Sequence, residues 1–145
     1  MAQAGTILHA EDDENDAFLF RRALVKAGVE NPLVQVLNGE AAVHYLNGIG
    51  EYGDREKYPF PCLLITDLKM PVLSGFDLLG QIKPLLQANE LRAVILTASV
   101  ADCDRERCRQ LGALAYFVKP SDLAGLTALA GQLKATWIPP VPTPA

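Results

Sequence analysis

Five carboxylates crowd the start of this chain: Glu11, Asp12, Asp13, Glu14 and Asp16, broken only by Asn15. They follow directly on the apolar run "ILHA". Three further lone polar groups stand at the ends of later apolar runs: Asp67 after "CLLIT", Thr97 closing "AVILT", and Lys119 after "AYFV". If these runs are parallel strands, every one of these groups arrives at the same sheet edge, where ligands of open α/β folds bind. Glu11, Asp12 and Asp67 would then repel one another, each ionised pair at ~5 Å costing about 3 kcal/mol at an effective dielectric of ~20. Lys119 or a divalent cation must offset this. The cluster offers oxygens and no His or Cys, which favours Mg²⁺ over zinc. A carboxylate beside such a cation can accept a phosphoryl group as an acyl phosphate, with Asp67 as nucleophile. Lys119 would neutralise the developing charge and Thr97 would hydrogen-bond a phosphoryl oxygen.

The elements must place those groups together. "TILHA" (6–10), "LVQVL" (33–37), "CLLIT" (62–66), "AVILT" (93–97) and "AYFV" (115–118) read as strands, several continuous enough in hydrophobicity to be covered on both faces. Helical patterns lie between them. Phe20, Ala23, Leu24 and Ala27 form an i, i+3, i+4, i+7 stripe closed by Gly28. Further helices are expected over 40–47, from Ser74 to Gln87, over 101–111 with Ser99 as cap, and through Leu123, Leu126, Leu129, Leu133 and Trp137 with Ser121 as cap. Strict alternation gives an α/β fold, a doubly wound five-stranded parallel sheet with helices on both faces. The order 2-1-3-4-5 makes the first and third strands neighbours, so their acids converge. "NGIGEYGDREKYPFP" (47–61) is long for a connection and is expected to be an ordered surface loop. The domain is expected over 5–138, with 139–145 a mobile proline-rich tail.

The totals set limits. The chain has 145 residues, 50% hydrophobic and 21% charged, and a net charge of −4. One domain with a full core is expected, and no Lys/Arg stripe points to nucleic acid. No leader pattern or membrane-length apolar run is present, so a cytoplasmic location is expected. Cys62, Cys103 and Cys108 have no C-x-x-C spacing and read as small buried or half-buried thiols. His9 is expected to hydrogen-bond inside the fold and His44 to lie on the surface.

Together, "EDD" at 11–13, "DLKMPVLSG" at 67–75, "LTAS" at 96–99 and "YFVKP" at 116–120 resemble a two-component response-regulator receiver domain of the flavodoxin-like type. The resemblance implies that Glu11 and Asp12 are the acidic pair for Mg²⁺, with Asp13 an additional acid opening the first helix. It makes Asp67 the phosphoacceptor and a metal ligand, and gives Lys69 a backbone-carbonyl bond to the metal. Thr97 becomes the switch hydroxyl, Lys119 the phosphate partner and Tyr116 the rotating aromatic. A cis peptide is implied at Lys119–Pro120. The 47–61 loop, Trp137 and the lack of an effector domain resemble stand-alone receivers paired with bacterial phytochrome kinases. A sensor histidine kinase is the implied partner.

Self-phosphorylation and autodephosphorylation are the only chemistry expected. A Mg²⁺-dependent phosphohydrolase of the haloacid-dehalogenase pattern would need an Asp where Lys69 stands. A receiver-like interaction module that is never phosphorylated would be marked by loss of the acceptor or the acid pair, and both are present. Output is expected through the surface of the fourth helix, fifth strand and fifth helix, toward a downstream protein or a second copy.

Overall fold

The structure, a computed structural model, describes residues 5–140. Five parallel strands form one sheet in the order β2-β1-β3-β4-β5. They are β1 (Ile7–Ala10), β2 (Leu33–Val36), β3 (Leu63–Thr66), β4 (Arg92–Thr97) and β5 (Ala115–Val118). The helices are α1 (Glu14–Lys26), α2 (Gly39–Asn47), α3 (Gly75–Gln81), α4 (Lys83–Gln87), α5 (Asp102–Gln110) and α6 (Leu123–Thr136), with a 3-10 turn at Gly50–Gly53. Among the described residues no helix is long and apolar enough to cross a membrane.

Strand alternation divides the core in two. Leu8, Leu64, Ala93 and Ile95 face one layer, where α2, α3 and α5 contribute Leu46, Leu78, Leu79 and Cys108. Ile7, Leu63, Ile65, Val94 and Leu96 face the other, against Phe20, Ala23 and Leu24 of α1 and Leu126, Leu129, Ala130 and Leu133 of α6. Both faces of β1, β3 and β4 are therefore dry, which is why these runs carry no polar alternation. The edge strand β5 is only half-buried throughout.

Local chemistry explains where the elements differ from expectation. The helix expected from Ser74 to Gln87 is two helices, broken at Ile82 (φ −98°, ψ 10°). Pro84 has no N–H for the carbonyl of Gly80 and its ring crowds that carbonyl, so the first helix cannot run through. The cap of α6 is Asp122, which accepts from the Gly125 amide, and not Ser121. At α5 the capping position is Ala101, with no side-chain bond. Ser99 instead donates from Oγ to Asp104 Oδ2 at 2.6 Å and accepts from the Ala101 amide at 3.3 Å. The Lys119–Pro120 peptide is trans, since no cis bond occurs among the described residues; trans is also the lower-energy form of an X-Pro bond, by about 0.5–1 kcal/mol.

His9 likewise corrects the expectation. It is buried against Phe20, with ring centroids 4.8 Å apart, and its Nδ1 has no hydrogen-bond partner. Burial, then the Lys119 charge, pulls its pKa down to about 3, so the ring stays neutral. His44 is half-buried in the last turn of α2 rather than on the open surface.

The 47–61 segment is fixed to α2. Gly48 takes the left-handed conformation (φ 64°) that ends the helix. Arg55 then donates to the last-turn carbonyls of Tyr45 and Leu46, each at 2.8 Å, placing a cation at the negative helix end. Tyr45, Tyr52 and Tyr58 pack with centroids 5.0 to 5.9 Å apart. Of the proline-rich tail expected from 139, the Pro139 carbonyl accepts from Asn31 Nδ2 at 2.9 Å, and residues 141–145 lie outside the described residues.

Candidate functional site

β1 and β3 are adjacent and in register, Ala10 opposite Thr66, so Glu11 and Asp67 emerge side by side. The Asp67 amide donates back to the Ala10 carbonyl at 3.1 Å, and the Glu11 amide to the Val36 carbonyl at 3.0 Å. Lys119 leaves β5 with its amide on the Thr97 carbonyl at 2.7 Å. Its side chain crosses the sheet edge to the acids.

The Lys119 ammonium lies 2.8 Å from Asp67 Oδ2, 2.5 Å from Glu11 Oε1 and 2.8 Å from Asp16 Oδ2. Burial alone would lower the Lys119 pKa, but bonds to Asp16, Asp67 and Glu11 raise it, and the group stays charged. Glu11 is 1% exposed. Its burial outweighs the lysine and pushes its pKa up to about 6. Glu11 Oε2 accepts from the Asp13 amide at 3.2 Å, and Asp67 Oδ1 from the Leu68 amide at 2.6 Å.

The remaining sequence candidates stand around this centre. Thr97 is buried at the end of β4, its Oγ1 accepting from the Ser99 amide at 3.4 Å. Tyr116 donates to the Ser99 carbonyl at 2.9 Å, and the Arg105 guanidinium lies 4.7 Å from its ring centroid. Asp12 is exposed and lines an open recess with Lys69, Met70, Ser74 and Phe76. Asp13 caps α1 by accepting from the Asp16 amide at 3.0 Å.

Asp16, one of the five acids crowded after the first strand and given no role by the sequence motifs, has its carboxylate turned onto Lys119 by the fold. The available signal was its place on the first turn after the acid pair, on a helix that starts at the ligand edge.

Among the described residues no three acidic, His or Cys side chains are gathered round one metal position. The donor chemistry nevertheless fits a hard divalent cation, which takes one or two carboxylates and keeps several waters. Glu11, Asp16 and Asp67 place three carboxylates around the single ammonium of Lys119, and the exposed Asp12 follows Glu11 directly in the chain. Burial first, and the Asp67 charge last, raise the Glu11 pKa to about 6 against the pull of Lys119, so a further cation beside it would favour its ionised form.

Residues 7–130 match the response regulator receiver domain. Response regulator Rcp1 of Synechocystis sp. is 29% identical over 139 residues, covering 96% of this chain and 92% of Rcp1. The crystal structure of the Mn²⁺-bound form of Rcp1 superposes with a TM-score of 0.80, covering 97% of this chain and 99% of that one. The phosphorylated cyanobacterial phytochrome response regulator RcpA is similar at TM-score 0.82 and 26% identity, covering 94% of each chain. RPA3017, a response regulator in red light signalling of R. palustris, gives 0.85 at 26% identity, covering 96% of this chain and 99% of that one.

Proposed function

We propose that this chain, which belongs to the response regulator receiver family, accepts a phosphoryl group from a histidine kinase on Asp67. Family members are signalling proteins that accept a phosphoryl group and pass on a change of state. The assignment to Asp67 rests above all on its carboxylate lying 2.8 Å from the Lys119 ammonium at the carboxyl edge of the sheet. In the transfer, an Asp67 oxygen attacks phosphorus as the P–N bond of a phosphohistidine breaks. The leaving imidazole keeps the electron pair and takes up a proton. Lys119 meets the charge on the phosphoryl oxygens, and the Thr97 hydroxyl, its proton free to rotate, donates to one of them.

Glu11, Asp12, Asp67 and the Lys69 backbone carbonyl would hold Mg²⁺. Bound there, the ion supplies neutralising charge to the phosphoryl oxygens. The Mn²⁺ form of Rcp1 supports a divalent cation here. Relatives named for phytochrome and red light signalling support a phytochrome-like kinase as donor. Tyr116, bonded to the loop after Thr97, would carry the change to the α5–β5–α6 surface.

The test is labelling with acetyl phosphate and Mg²⁺. One acid-stable, base-labile phosphoryl group is expected, and Asp67→Asn should abolish it. Label that survives the change, or resides on a histidine, refutes the assignment.

A further inference from the structure

Lys119 is fully subscribed. An ammonium has three N–H donors, and three carboxylates take them: Glu11, Asp16 and Asp67. An acyl phosphate carries its negative charge on oxygens that lie beyond the aspartate side chain. To serve them, the ammonium must advance from its present position and loosen its hold on the acids behind it. Glu11 is 1% exposed, so bulk water cannot take the place of the ammonium there. The Asp16 side chain is 43% exposed, so water can take the place of Lys119 there. Asp16 is therefore the partner most cheaply released.

We infer that Asp16 is a positioning residue that holds Lys119 back from the phosphoryl position and so restrains phosphorylation at Asp67. The inference rests on the assignment of Asp67 as acceptor. Two effects act in the same direction. The Asp16–Lys119 pair favours the unmodified state, in which Lys119 is retracted, and the Asp16 charge also repels an anionic phosphodonor on approach. A half-exposed pair of this kind is worth at most about fivefold in an equilibrium or rate. Asp13, which caps α1, is exposed and makes no bond to Lys119, so the restraint belongs to Asp16 and not to the acidic turn as a whole.

The experiment compares the parent protein with Asp16→Asn, Asp16→Glu and Asp67→Asn. Acetyl phosphate with Mg²⁺ should label Asp16→Asn about threefold to fivefold faster than the parent, while Asp16→Glu restores the slower rate. The ratio should shrink as ionic strength rises, because a half-exposed pair is screened. The Lys119 ammonium, followed by its ¹H–¹⁵N NMR signal, should exchange with water faster in Asp16→Asn and return toward the parent value in Asp16→Glu. Normal labelling at Asp67 with an unchanged or slower Asp16→Asn overturns this inference alone, as does an unaltered ammonium signal. Label that persists in Asp67→Asn, or a parent that takes none, overturns the acceptor assignment and this inference with it.

Discussion

Cys108 is 1% exposed on the inner face of α5, and burial pushes its thiol up to about 11. The thiolate is the reactive form, so at pH 8 only about one part in a thousand of Cys108 is competent. Cys103, one turn earlier, is exposed. We expect a thiol reagent at pH 8 to modify Cys103 quickly and Cys108 only on opening of the fold, as peptide mapping over time would show. A thiol with a raised pKa also links stability to pH. The unfolded thiol ionises near 9 and the folded one near 11, so this contribution holds below pH 9 and is lost as pH rises through 11. Chemical denaturation across that window should show a steeper alkaline loss for the parent than for Cys108→Ala. At the ligand edge, Asp12→Asn should weaken Mg²⁺ binding by at least about tenfold in an NMR titration. Asp13→Asn should leave it nearly unchanged, because Asn serves as well as Asp at the α1 capping position. Equal losses in the two would shift the metal assignment by one residue.

At the scale of elements, the turn from β3 into α3 has no slack. A Cβ on Gly75 would lie 2.2 Å from the Asp67 carbonyl oxygen and 2.8 Å from Leu68 Cα, both backbone atoms that cannot swing aside. Gly75→Ala must displace the segment carrying Asp67. We expect a loss of about 2–3 kcal/mol in urea denaturation and slower labelling by acetyl phosphate. Val72, in the same turn, has φ 68° and is 73% exposed. A β-branched residue is strained there, and Val72→Asn should raise stability by about 0.5–1 kcal/mol in the same assay. The strands and their order were legible because both core layers demand apolar residues, and the lone Asp67, Thr97 and Lys119 stood out at the run ends. What the sequence hid were competitions between neighbours. Ser121 and Asp122 are both good caps, and only the approach of the chain decides for Asp122. Asp16 could have faced water or the sheet edge, and its helical phase relative to Lys119 is a tertiary matter.

For the whole molecule, the surface of α5, β5 and α6 is the proposed output face. Tyr116 reaches the loop after Thr97, Arg105 covers its ring, and Leu114 beside it is 54% exposed. We expect beryllofluoride with Mg²⁺ to shift backbone NMR signals on this face. Sedimentation should show a heavier species if the partner is a second copy. Full occupancy of Asp67 without any response there would move the output elsewhere. The opposite end of the sheet has a different character. The amide of Asn31 donates to the carbonyls of both Gly5 and Pro139, at 2.9 Å each. One side chain thus knots the first and last described stretches of the chain together, on the side away from Asp67. The described stretch from residue 5 to residue 140 is nearly a closed ring, so a short peptide bridge joining those two residues and a new opening in a surface loop should give a circular permutant that acetyl phosphate labels as it does the parent.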